Sequence, residues 1–271
     1  MFGMGALALR RACPLPWFPS ERRALQAAAL LALASGALWP ALQTAVVLDD
    51  PAAARDWAAV QALLLQTSFG RTWLGREILV AIAASLWFAR RQAFPGPAAL
   101  ALAAGALGSL AMIGHAAGAE GSSGAWQQAV LCVHLLAAGM WFGALPALAL
   151  ACRRLEAQAL AAMLRGFSRY GVALVAVLVA SGAVSAQWRL GSVADLWGSA
   201  YGRALLLKVG LVLGMGMVAL RNRNVLTPAL EASGGSEAAR GALQRSIALE
   251  IAIGAAVIGL AALLSSLEPA R

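Results

Sequence analysis

The chain has 271 residues, 61% of them hydrophobic and 12% charged, with a mean hydropathy of +0.75. Soluble domains are roughly 45–50% apolar and about 25% charged, so one water-soluble core cannot absorb this excess, and the low charge excludes a disordered chain. A net charge of +9 would suggest nucleic acid in a soluble protein, but here arginines cluster between apolar runs and read as membrane topology signals.

A helix needs about 20 mainly apolar residues to cross the hydrocarbon core. Residues 1–9 are too short for this, end in Arg10-Arg11 without a cleavage pattern, and read as the tail of a helix. Spans follow at approximately 24–48, 72–91, 97–115, 126–151, 168–189, 202–220 and 245–267. Each is bounded by charge, Pro or Gly, such as Phe94-Pro95-Gly96-Pro97 between the second and third. The expected fold is all-α, a polytopic transmembrane helix bundle of about seven spans plus a short N-terminal helical remnant. Residues 1–23 form the remnant and a cytoplasmic loop, and residues 24–271 form the bundle. The stretch 222–244, with Ser233-Gly234-Gly235-Ser236, reads as a flexible cytoplasmic connection.

Arginine sets the orientation. With residues 10–23 inside and the spans alternating, fourteen arginines lie on the cytoplasmic side and six on the outer side. This is the bias expected of a bacterial inner membrane protein, and it leaves the C-terminus periplasmic. The outer loops also hold Asp49, Asp50, Asp56, Glu120 and Asp195. Trp73, Trp126, Trp188 and Trp197 fall near the outer interface, and Trp17 and Trp87 near the inner one, as anchoring residues do. Gly139/Gly143 and Gly210/Gly214 are GxxxG pairs expected to let helix backbones approach.

Polar side chains inside an apolar bundle need a partner or a task. The chain has two histidines, His115 at the end of the third span and His134 in the fourth. The short outer loop between those spans makes them antiparallel neighbours, with His134 about 10–12 Å deep at 1.5 Å rise per residue. Met112 shares a helical face with His115, whereas Cys132 points nearly opposite to His134. Two imidazoles and a thioether suit Cu(I), which accepts few ligands and nitrogen or sulfur donors. Each imidazole also fits a simpler role, bonding a backbone carbonyl. Lys208 is expected to reach outward to Asp195, and Glu250 to pair with Arg245 or Arg221 or to serve as a relay. Glu77, beside Arg76, reads as a solvated interfacial charge. The cysteines Cys13, Cys132 and Cys152 are too few and too scattered for a disulfide framework or thiolate metal site. No nucleophile–base pair, phosphate loop or zinc motif points to an enzyme.

Several runs resemble the copper resistance protein D (CopD) family of bacterial inner membrane proteins. They are Gly114-His115-Ala116, the run from His134 to Leu145 (HLLAAGMWFGAL), Phe167-Ser168-Arg169, the run from Ala200 to Lys208 (AYGRALLLK), and Leu220-Arg221-Asn222-Arg223. The run from Thr67 to Trp73 and Glu250 also match, and the resemblance extends from about residue 24 to the C-terminus. It implies a helical bundle in the lipid bilayer that takes copper from the periplasm, often beside the periplasmic copper-binding protein CopC. Family members usually begin with one further complete helix, of which residues 1–12 resemble the tail.

The expected function is therefore copper transport, with Cu(I) captured by His115 and His134, Met112 as auxiliary donor, and movement inward. No nucleic-acid partner is expected. Two other classes fit the same histidines: a b-type haem or quinone-linked electron carrier with bis-His ligation, and an assembly partner for a copper-dependent oxidase.

Overall fold

The computed structural model describes residues 1–12, 19–88, 96–113 and 121–267. Its principal helices are α1 (Phe2–Ala12), α2 (Pro19–Val47), α3 (Trp57–Gln66), α4 (Ser68–Phe88) and α5 (Gly96–Gly108). They continue with α6 (Gly121–Cys152), α7 (Ala157–Gln187), α8 (Asp195–Gly198), α9 (Ala200–Arg221), α10 (Thr227–Ala232) and α11 (Glu237–Ser266). The protein is a helical membrane protein. Five stretches are long and apolar enough to cross a bilayer: Pro19–Val47, Ser123–Cys152, Ala157–Gln187, Ala200–Ala232 and Glu237–Ser266. The other two expected spans lie on α4, which carries Arg71, Arg76 and Glu77, and on α5, which has only 13 residues. Five spans, not seven, thus meet the length and apolarity of a crossing helix among the described residues.

The chain forms two compact units, one of residues 16–136 and one of residues 1–15 with 137–271. In the first, α2 packs on α4 and α4 on α5. Arg22 Nε and Gln26 Nε2 both donate to the Trp87 carbonyl, at 3.3 and 3.1 Å, tying the start of α2 to the end of α4. Trp39 and Phe69 meet edge to face at 5.9 Å. The connection between α2 and α4, expected as an outer loop, is mostly helical. Its aspartates explain why. Asp50 caps a 3-10 turn (Pro51–Arg55) through Ala52 N–H at 2.8 Å, and Asp56 caps α3 through Ala58 N–H at 2.9 Å. Short acidic side chains at these positions satisfy backbone donors that a helix start leaves free.

In the second unit, α1 is a packed element. Met4, Leu7 and Leu9 are buried, and α1 lies on α7. It also meets α6: a Cβ at Gly5 would strike the backbone of Gly143 and Ala144, and a Cβ at Gly143 that of Met1. The expected close approach at Gly143 is present. At Gly210 and Gly214 it is not, since open space faces both.

Within this unit α9 packs against α11. α9 passes through a π-helical turn (Asn222–Leu226) into α10, where Thr227 Oγ1 donates to the Asn222 carbonyl at 2.8 Å. Such a turn adds one residue to the helical repeat and frees backbone groups, which neighbouring side chains then satisfy. The 222–244 stretch is therefore helical apart from a tight turn at 233–236, contrary to the flexible connection expected. Gly234 and Gly235 adopt φ of +60° and +84°, conformations that side chains with a Cβ resist. Ser236 then caps α11 through Ala239 N–H at 3.3 Å. Arg240 fastens the turn, donating to the carbonyls of Gly235, Cys152 and Leu155 at 3.1, 3.1 and 2.8 Å.

Tryptophan placement divides. Trp126 and Trp197 are 60% and 68% exposed, as anchors in the interface are, whereas Trp73 and Trp87 are buried and pack within their unit. Trp17 lies outside the described residues.

Candidate functional site

The histidine region lies at the α5–α6 end of the first unit. α5 passes at Gly108 into a 3-10 turn (Ser109–Met112), and the Met112 side chain is 55% exposed. His115 lies outside the described residues. His134 is half-buried on α6, within a strongly apolar stretch. Cys132 Sγ lies against Gly108, where a Cβ would come within 2.9 Å of it. The Cys132 thiol thus faces α5, and at 3.6 residues per turn the His134 backbone position is rotated about 200° from that of Cys132. Cys132 thus places a soft thiol against the end of α5, just before the turn that carries Met112. Among the described residues no group of three or more His, Cys, Asp or Glu gathers in a metal-binding cluster.

A second polar centre was less legible. Glu250 on α11 is 2% exposed and Asn222, at the π-helical turn, 8%. Asn222 Nδ2 donates to Glu250 Oε1. This replaces the expected pairing of Glu250 with Arg245 or Arg221, which are both exposed. A carboxylate in an apolar surrounding needs a donor, and the π-helical turn rotates Asn222 inward to supply one. Asn222 Oδ1 and Ser246 Oγ are buried without a hydrogen-bond partner among the described residues. Both Asn222 and Glu250 line a cavity of about 210 Å³ with Trp141, Leu145, Phe167 and Ile247. Hard oxygen donors of this kind suit a proton or a hard cation better than Cu(I). In sequence, Asn222 looked like the first residue of a loop, flanked by Arg221 and Arg223.

Three further charged side chains, Glu77, Asp195 and Lys208, also differ from expectation. Glu77 is not a solvated charge: it pairs with Arg76, both side chains are about 15% exposed, and its carboxyl group rests on Gly36 of α2. Asp195 accepts from Ser192 N–H at 2.6 Å, closing its own turn, and does not meet Lys208. Lys208 is half-buried on α9.

Long apolar helices with few charges define a polytopic helical membrane protein. Residues 161–264 match the family described as Copper resistance protein D, and residues 1–125 match Copper resistance protein D-like, N-terminal domain. The chain is 38% identical over 221 residues to Copper resistance protein D of Pseudomonas syringae pv. tomato, covering 77% of this chain and 71% of that protein. It is 34% identical over 217 residues to the inner membrane protein YebZ of Escherichia coli K12, covering 79% of this chain and 72% of that protein. The chain belongs to the copper resistance protein D family. No solved structure matches it.

Proposed function

We propose that this protein is a copper transporter of the inner membrane that captures Cu(I) on the periplasmic side and moves it inward. The observation that carries this reading is the relationship to Copper resistance protein D over most of the chain. His115 and His134 are the capture ligands and Met112 the auxiliary donor. The reading is supported by chemistry: the chain's two imidazoles lie on either side of a single short connection, and imidazole nitrogens suit a soft monovalent ion. Moderate affinity suits the task, because a transport site must release its ion. Residues 10–23 are cytoplasmic and the C-terminus periplasmic, with a CopC-like periplasmic protein as the copper donor.

Copper accumulation in cells expressing the protein tests this reading. Cells carrying the wild-type chain accumulate more copper than cells without it, and H115A/H134A abolishes the gain. Equal accumulation with the double variant refutes the histidine site, and no gain with the wild type refutes inward transport.

A further inference from the structure

Two sequence runs that the copper reading leaves unused, Phe167-Ser168-Arg169 and Arg221-Asn222-Arg223, converge in the second unit. Arg165, Ser168 and Arg169 of α7 face Arg223, Asn224 and Thr227 around the π-helical turn, enclosing a pocket of about 260 Å³. Arg165 is partnered by Glu231 of α10. Arg169 and Arg223 are exposed and have no acidic partner among the described residues, so the pocket carries uncompensated positive charge.

This pocket does not end at its polar floor. Leu164, Ser168, Arg223 and Thr227 also line the cavity of about 210 Å³ beneath it, which also holds Asn222 and Glu250 and continues between α7 and α9 along the apolar side chains of Phe167, Val175 and Leu220. Two glycines widen that crevice. Gly171 and Gly216 both line it, and the space where each Cβ would stand is open. A basic mouth on an apolar crevice, on helices that cross a bilayer, is complementary to one kind of molecule: an anionic group attached to a hydrocarbon chain. Arginine matches phosphate oxygens with two donors at once, and basic pockets between membrane helices hold anionic headgroups.

We infer that Arg169 and Arg223, with Arg165, bind the phosphate headgroup of an anionic phospholipid whose acyl chain enters the crevice at Gly171 and Gly216. The lipid belongs to the leaflet on the arginine-rich side. The site is independent of the histidine region and stands whether or not copper is the cargo.

The test uses the purified full-length protein in mild detergent with equimolar phosphatidylglycerol and phosphatidylcholine, reading retained lipid by native mass spectrometry. Wild type retains phosphatidylglycerol in preference to phosphatidylcholine. R169Q/R223Q lowers that preference roughly twenty-five-fold, a factor of five for each arginine. R153Q/R154Q, which removes two exposed arginines outside the pocket, leaves the preference unchanged. Gly171→Leu keeps every arginine but fills the crevice, and it too releases the lipid. Glycerol phosphate, the headgroup chemistry without chains, does not compete at millimolar concentration. An unchanged preference in R169Q/R223Q overturns the proposal. So does full retention in Gly171→Leu, or displacement by glycerol phosphate, since either would mark a site for free anions instead of a lipid.

Discussion

Asn222 donates its side-chain amide N–H to the carboxylate of Glu250, 28 residues further along the chain, beside a largely apolar cavity. The bond joins the π-helical turn after α9 to the core of α11. Asn222→Leu leaves the buried carboxylate without that donor and is expected to destabilise the protein by about 1–3 kcal/mol. Glu250→Gln keeps an oxygen that accepts the same N–H and loses less. Thermal unfolding in detergent checks the order, and equal losses for the two variants would contradict the assigned bond.

The contact of α1 with α6 depends on two missing side chains. A Cβ at Gly5 would strike the backbone of Gly143 and Ala144, and a Cβ at Gly143 would strike the Met1 carbonyl. Backbone cannot yield as a side chain end can, so Gly143→Ala is expected to loosen α1 at a loss of about 1–3 kcal/mol. Limited proteolysis reports this as faster cleavage within residues 1–12, while Gly210→Ala, which faces open space, leaves the rate unchanged.

These cases show which parts of the molecule were readable in advance. Apolar runs of about 20 residues located the long helices, because the bilayer imposes that length on any span. The family runs led to copper, and the expected helical class holds. Asn222 escaped because a π-helical turn has no distinctive sequence pattern, so an asparagine between two arginines looked like the start of a loop. Glu77 escaped for a different reason: its burial depends on Gly36, some forty positions away, and no local pattern reports that contact. The aspartates of the α2–α4 connection were noticed only as charges, although Asp50 and Asp56 are also cap residues. Cys132 lies against Gly108 of α5, a contact between helices that its spacing from His134 does not report.

The Glu77–Gly36 contact yields its own test. Gly36→Ala places a methyl group on the Glu77 carboxyl group that Arg76 holds, so the pair must shift or break. Because the end of the Glu77 side chain can move aside, a loss of about 1 kcal/mol or less is expected, and Glu77→Ala in the same chain recovers part of it by making room. Strictly additive losses in the double variant would contradict the contact.

Arg240 gathers three carbonyls at the 233–236 turn. Arg240→Ala removes a charged donor from all of them, and an exchange of about 1.5–3 kcal/mol is expected for bonds of this type. Hydrogen exchange at Ser236–Arg240 should quicken. Arg240→Lys restores little, because an ammonium group lacks the planar fork that reaches Gly235, Cys152 and Leu155 together. Full rescue by lysine would show that charge alone holds the turn.

Cu(I) binding to the purified protein, measured by competition with a chromogenic chelator, tests the copper reading most directly. One Cu(I) per chain is expected for the wild type, weakened at least tenfold by either His115→Ala or His134→Ala, a change of about 1.4 kcal/mol or more. Met112→Ala weakens it less. Undiminished binding in the H115A/H134A double variant would contradict the account, and Cys132 would then be the first donor to examine.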